Sequence, residues 1–340
     1  MSKPEKNDLT EKEPVFIKTS PEELTASDER TLNRSSDSEE FSSDLLRLGR
    51  TMRLLESFSK DDFDMAVSML EDFSQASKAL APFTSREKVV IFGSARIDES
   101  SPLYASVKEL AAMFAASGFV VITGGGPGVM SAGLEGAGPG NALGISVNLP
   151  FESPAAFPNV PVVRQRRFFT RKLAMVRKTK GVIVVPGGFG TMDEAFEVLT
   201  LLQTGKKSPT PVVFLDPENT GFFDSLIEFI SRAGDDGFIS KHDTSLFSVC
   251  SSEREAFSLV QKFWSNYKKF EGVDGSGLVS LKQELSPEAL SDLSETYPPF
   301  APFVQESSKD REPVLRFCFD RRNFGLLRKL IDSINDSKTL

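Results

Sequence analysis

The stretch Val182-Ile-Val-Val-Pro-Gly-Gly-Phe-Gly-Thr-Met-Asp-Glu194 decides how this chain is read. Its first four residues form a short apolar, β-branched run suited to a strand buried on both faces. Pro186 ends that run. Gly187, Gly188 and Gly190 then let the backbone turn tightly and come close to a ligand. Thr191 stands at or next to the expected start of a helix, and Glu194 lies one turn further on. The order is strand, phosphate-sized loop, helix, with a carboxylate just beyond the loop. A helix N-terminus presents unpaired N–H groups and a partial positive charge, so such a turn favours an anion. Spacing alone leaves a second reading open. Thr-x-x-Glu is also a capping box, in which the glutamate only satisfies a backbone N–H.

Working outward, the same grammar recurs. Apolar runs at 89–92, 119–123, 143–147, 212–215 and 246–250 alternate with helical patterns at 102–117, 168–179, 191–203, 222–232 and 253–267, with another helix starting at Val129. This alternation predicts an α/β domain over residues 84–270, a Rossmann-like, doubly wound parallel sheet covered on both faces. In open sheets of this kind ligands bind beyond the carboxyl ends of the strands. Three glycine-containing turns would share that edge: Gly93-Ser94-Ala95, Gly124 to Gly128, and Gly187 to Gly190. Gly93, Ser94, Gly125 and Gly126 are therefore candidate ligand contacts beside Gly187, Gly188, Gly190 and Thr191. Basic side chains crowd the segment Arg164-Gln-Arg-Arg167-Phe-Phe-Thr-Arg171-Lys172. A phosphate clamp and a solvated charge run both fit that spacing.

The flanks differ in composition. Residues 1–40 carry eleven acidic and six basic side chains with few large apolar ones, and are expected to form a disordered acidic tail. Residues 41–83 predict a helical extension: Leu45, Leu48, Met52 and Leu55 recur at helical spacing, as do Phe63, Val67, Leu70 and Phe73. Residues 271–340 predict a C-terminal extension, polar and proline-containing to about Lys309. It ends in a strand or turn and an amphipathic helix through Phe324, Leu327, Leu330 and Ile331.

Composition then excludes several chemistries. The net charge of the 340 residues is -8, and the tail supplies -5 of it, so bulk charge points to no nucleic-acid partner. Two distant cysteines, Cys250 and Cys318, suit a reducing cytoplasm, and cytoplasmic localisation is expected. With one histidine, His242, neither a Ser-His-Asp triad nor a multi-histidine metal centre is expected. The N-terminus lacks the apolar core of a signal peptide, and no apolar run approaches the ~18 residues of a membrane span. The P-loop pattern Gly-x-x-x-x-Gly-Lys-[Ser/Thr] is absent. The dinucleotide pattern Gly-x-Gly-x-x-Gly fails at Val129 when begun at Gly124 and at Asp193 when begun at Gly188.

Pro186-Gly-Gly-Phe-Gly-Thr-Met-Asp-Glu194 matches the Pro-Gly-Gly-x-Gly-Thr-x-x-Glu signature of the LOG ("Lonely Guy") family, and Arg171-Lys172 matches that family's paired Arg-Lys. Phe92-Gly-Ser-Ala-Arg96 and Thr123-Gly-Gly-Gly-Pro-Gly-Val-Met130 resemble its first two loops. The similarity covers about residues 86–270, and the ending from Arg316 to Asn335 resembles the C-terminal extensions of longer bacterial members. The family was long labelled "possible lysine decarboxylases", yet nothing in this sequence indicates a pyridoxal phosphate site. The resemblance implies instead a phosphoribohydrolase that cleaves the N-glycosidic bond of a nucleoside 5′-monophosphate, a cytokinin riboside monophosphate or an AMP-like purine nucleotide, to free base and ribose 5-phosphate. It further implies Glu194 as the catalytic glutamate and Arg171 as the catalytic arginine, which binds phosphate or assists departure of the base. It places the 5′-phosphate on Gly187, Gly188, Gly190 and Thr191, with Lys172 beside Arg171, and lines the remainder with Gly93, Ser94, Gly125 and Gly126. No metal or cofactor is implied, and a homodimer or larger homo-oligomer is. One departure stands out: many bacterial relatives carry Glu where this chain has Ser131, and Glu135, one turn later, is a candidate to compensate. That departure, with the two extensions, leaves open an alternative: a non-catalytic nucleotide-binding or sensing protein on the same fold.

Overall fold

The computed structural model describes residues 37–147, 159–308 and 311–339. Most of the expected acidic tail, residues 1–36, lies outside the described residues. A first unit ends at Met65 and holds helix α1 (Asp37–Leu54) and the opening of α2 (Lys60–Leu80). Leu45, Leu48 and Met52 of α1 are on its surface. Ala66–Leu340 forms a second compact unit.

That second unit is built on a seven-stranded parallel sheet. Its elements run β1 (Lys88–Phe92), α3 (Pro102–Ala116), β2 (Val120–Thr123), α4 (Val129–Ala137), β3 (Ala142–Val147), β4 (Val162–Gln165) and α5 (Phe168–Val176). They continue through β5 (Gly181–Val184), α6 (Phe189–Gln203), β6 (Val212–Leu215), α7 (Asp224–Asp235), β7 (Ser248–Cys250) and α8 (Glu253–Phe263). The strand order is β4-β3-β2-β1-β5-β6-β7, and every neighbouring pair is parallel. This is the expected α/β, Rossmann-like doubly wound sheet. Every residue of β1, β2, β5 and β6 is buried, as strands covered on both faces must be.

The chain starts at β1, steps outward through β2, β3 and β4, then returns to lay β5 on the other side of β1. The crevice between β1 and β5 is therefore the topological switch point, where open α/β sheets bind ligands. Phe92 lies opposite Val184, so both strands end together, and the Ser94 N–H donates to the Pro186 carbonyl at 3.2 Å. Register thus brings together two glycine loops that are far apart in sequence.

Three features depart from the pattern expected above. Strand β4 adds an edge that the sequence does not announce. Only Val162 and Val163 are apolar in it, and three of its four positions are at least partly exposed. Beyond α8, β8 (Tyr267–Val273), β9 (Ser276–Leu281), α9 (Pro287–Thr296), β10 (Val304–Ser308), β11 (Arg311–Cys318) and α10 (Phe324–Asp336) form an antiparallel module, order β10-β11-β9-β8. Helix α8 stops at Phe263, short of the expected Tyr267, because Tyr267 opens β8. Only alternate residues of β9 are fully buried (Gly277, Val279 and Leu281), so the segment reads as polar although it supplies a core. That core joins Phe300, Phe317 and Phe319 to the buried face of α10, which includes the expected Phe324, Leu327, Leu330 and Ile331.

The third departure is α2. Its apolar Leu70 and Phe73 are exposed, and the face it buries runs through Ser68, Asp72 and Ala76. The reason is polar: the Asp72 carboxylate accepts the N–H groups of Arg166 and Arg167 and the Thr170 hydroxyl. Among the described residues no helix is long and apolar enough to cross a membrane.

Candidate functional site

Where β1, β2 and β5 end and α6 begins, the chain encloses a cavity of about 680 Å³. Its wall contains Gly93, Ser94, Gly125, Gly126, Arg171, Gly187, Gly188, Gly190, Thr191 and Glu194. Lys172 is the one candidate that does not line it. Its amine is held 2.7 Å from the Asp193 carboxylate and 3.9 Å from that of Glu197. From there it acts on Glu194 only through its charge.

The opening of α6 shapes the anion loop. The helix takes Gly188 as its N-cap and no side chain caps it, so Thr191 lies inside the first turn and Glu194 in the second. Gly187 has no room for a side chain: a Cβ there would collide with the Thr191 hydroxyl and come within 2.9 Å of the Ser94 nitrogen. Gly188 and Gly190 are different, since a Cβ on either would meet nothing within 4 Å. Packing does not require glycine at these two positions. What the missing side chains leave is open space beside the first N–H groups of a helix, where an anion is favoured.

Glu194 is 6% exposed, and its Oε2 is buried without a hydrogen-bond partner. The capping box is therefore not formed. Burial pushes this carboxyl up to about 7, against the opposing pull of the Lys172 and Arg171 charges. Buried polar atoms in folded proteins are nearly always bonded, so an orphaned carboxylate oxygen in a cavity wall makes Glu194 a candidate functional residue.

Arg171 reaches the cavity from the first turn of α5. Its Nε donates to the Ile145 carbonyl at 2.8 Å, and a terminal nitrogen donates to the Gly124 carbonyl at 3.2 Å. The guanidinium lies so close over Gly124 that a Cβ there would overlap it. The rest of the basic segment does not form a clamp. Arg166 pairs with Glu71 at 2.6 Å, Arg167 Nε donates to Ser68 Oγ at 3.2 Å, and neither residue lines the cavity. Glu135 does not compensate for Ser131 either. It is bound by the Tyr104 hydroxyl at 2.9 Å and the Lys108 amine at 2.6 Å, away from the wall. Ser131 donates to the Gly126 carbonyl at 3.0 Å and so braces the second loop.

Further wall residues lie outside the expected set: Arg96, Met130, Ser146, Phe168, Phe189 and Asp193. Arg96 had a usable signal, standing three residues past Gly93 at a strand's carboxyl end. Ser146 had a weaker one, near the end of β3. Phe189 is 98% exposed between two glycines, an unusual place for a large apolar ring. The wall thus combines two guanidinium groups, Arg96 and Arg171, with two carboxylates, Asp193 and Glu194.

Residues 127–260 match the family model described as "Possible lysine decarboxylase". Over 100 residues the chain is 33% identical to "Cytokinin riboside 5'-monophosphate phosphoribohydrolase LOG2" of Arabidopsis thaliana, covering 29% of this chain and 46% of that protein. Over 71 residues it is 41% identical to the LOG7 protein of the same name and organism, covering 21% and 31%. The matches thus span less than half the length of these curated relatives. Among solved structures, the X-ray structure of TM1055 aligns over 52% of this chain and 99% of its own, at 24% identity and a TM-score of 0.40. The signature Pro186–Glu194 and Arg171 fall within the matched residues 127–260, and over part of its length the chain is similar to these LOG proteins.

Proposed function

We propose that the chain hydrolyses the N-glycosidic bond of a nucleoside 5′-monophosphate, releasing a free base and ribose 5-phosphate. The observation that carries this reading is the buried, unbonded carboxylate of Glu194 set just past an open glycine turn at a helix N-terminus. Phosphate held at Gly188 and Gly190 anchors the sugar. Glu194 is six residues along α6, about 9 Å up the axis, and side chains tilt back toward a helix N-terminus. Its carboxylate then faces the sugar carbon that loses the base.

Glycosidic cleavage passes through an oxocarbenium-like state. An ionised Glu194 stabilises that cation at short range in a site of low polarity and accepts the proton of the attacking water. Arg171, fixed by two backbone carbonyls, takes either the phosphate or the departing base. Phosphate binding fixes the sugar, so its energy serves orientation at the reacting carbon. The names of the relatives favour a cytokinin riboside monophosphate as substrate, with AMP-like nucleotides of the same chemistry beside it. The lysine decarboxylase description does not fit the residues. Pyridoxal phosphate enzymes attach their cofactor to a lysine amine, and no lysine among the described residues lines the cavity. A homo-oligomer belongs to the same proposal, with exposed Phe168, Phe169 and Leu173 of α5 as apolar surface for it to cover.

The test is incubation of the full chain with AMP, an N6-isopentenyl analogue and a wider nucleotide panel, with free base and ribose 5-phosphate measured. Release of both products supports the reading. Tight nucleotide binding without release from any member of the panel sinks it and leaves a binding protein.

A further inference from the structure

Helix α5 has nine residues, too few for a helix to hold by itself in water. It carries Arg171 in its first turn, so something outside the helix must fix where that guanidinium sits. Its own N-cap residue, Arg167, supplies no side-chain cap. The cap comes instead from α2, the helix that precedes the α/β domain. Asp72 is 1% exposed, and its carboxylate accepts the Arg166 N–H at 3.0 Å, the Arg167 N–H at 3.1 Å and the Thr170 hydroxyl at 2.6 Å. The opposite end is held as closely. The Lys207 amine, in the loop after α6, donates to the carbonyls of Val176 at 2.9 Å and Thr179 at 3.2 Å. A negative charge thus sits at the positive end of the helix dipole and a positive charge at the negative end. Burial lowers the Lys207 amine only to about 8, so it remains largely protonated at neutral pH.

We propose that Asp72 and Lys207 are positioning residues that set the axial position of α5 and hence of Arg171, which makes helix α2 a working part of the site. The cost explains the odd face of α2: it buries Ser68, Asp72 and Ala76 and leaves Leu70 48% and Phe73 42% exposed, with the Arg177 guanidinium over the Phe73 ring. A helix serving only as packing would do the reverse. The proposal deepens the hydrolase reading and rests on it for its kinetic form, while its binding form stands apart from turnover.

The experiment is a double-mutant cycle between Asp72→Ala and Arg171→Ala in the full chain, with Asp72→Asn and Lys207→Met alongside. Two quantities are read: turnover of AMP, and affinity for ribose 5-phosphate by calorimetry. Asp72→Ala should lower kcat about 10- to 100-fold, the scale of a misplaced catalytic group, and have almost no further effect once Arg171 is alanine. Asp72→Asn, which keeps an oxygen for the amides, should recover most of the loss, and Lys207→Met should repeat the pattern from the other end. Independent, multiplicative losses in the double variant overturn the proposal, as does a Tm decrease with kcat unchanged. If Asp72→Ala does not fold, Asp72→Asn and Lys207→Met each complete a cycle with Arg171→Ala. If no nucleotide is turned over, the hydrolase reading fails by itself; the cycle on ribose 5-phosphate affinity still decides the positioning role.

Discussion

Replacing Glu194 by glutamine keeps the side chain's volume and removes its charge, so the variant isolates what ionisation does at this position. In the folded chain burial raises the carboxyl from an ordinary 4.5 to about 7. The unfolded chain releases this proton near 4.5 and the folded chain near 7. Between those values the folded state holds more protons, so this group's effect on stability becomes steadily more unfavourable as pH rises, and it levels off above about 7. At about 1.4 kcal/mol per pH unit, the full penalty is about 3 kcal/mol. Glutamine does not titrate and escapes it. Glu194→Gln should therefore be more stable than the parent by about 3 kcal/mol at pH 8, which is roughly 5 °C in Tm for a body of this size. The gap should shrink to under about 1 kcal/mol at pH 5, where the folded parent is already neutral. Turnover should be lost at both pH values while ribose 5-phosphate still binds. Urea or thermal unfolding of the two proteins across pH 5–8 reads the difference directly, because all other titrating groups cancel. A gap independent of pH, or a variant less stable at pH 8, would falsify the idea that Glu194 is a desolvated, unpaired carboxylate.

Other outcomes follow from the same geometry. In the parent protein kcat/KM should rise with pH and level off above about 7, as Glu194 becomes ionised in the free enzyme; a flat profile between pH 5.5 and 8 would remove it as the base. Gly190→Ala meets open space inside a helix, so it should raise stability by about 0.5–1 kcal/mol while weakening ribose 5-phosphate binding; unchanged affinity would move the anion elsewhere. Gly187→Ala should instead impair folding, since its Cβ meets Thr191 and the first loop, and a normal unfolding midpoint would contradict that packing. Arg171→Lys should lose most of the activity despite keeping the charge, because lysine cannot span the Ile145 and Gly124 carbonyls with a rigid fork; wild-type turnover would show that charge alone suffices.

How far the sequence could be read depended on the physics of each part. β1, β2, β5 and β6 are continuous apolar runs because both their faces are covered, and such runs are visible in one dimension. The glycine loops between them follow directly. β4 and the antiparallel module were not legible, since an edge strand and a half-exposed sheet interleave polar residues with core ones. Glu194 was ambiguous for another reason. Its capping-box reading turned on where α6 begins, and Gly188, three residues ahead of Thr191, takes that role. Lys172 was misplaced because its partner, Asp193, belongs to another helix. Asp72 gave no signal at all. A buried acid in a helix reads as a solvated one until the chain returns with Arg166, Arg167 and Thr170 to meet it.

The switch point also has a consequence in time. β2 and β3 reach their partners soon after they leave the ribosome, but β1 is flanked on its other side by β5, and Val90 pairs with Val182. About 90 residues separate them, which is roughly 5–20 s of synthesis. Throughout that interval β1, apolar on both faces, has one bare edge of unpaired backbone groups, the kind of edge that recruits foreign strands. The pocket comes into being at the moment this edge is closed. A nascent chain stalled before residue 181 would thus lack its binding site and carry its most adhesive surface uncovered, a state in which chaperone capture and self-association compete.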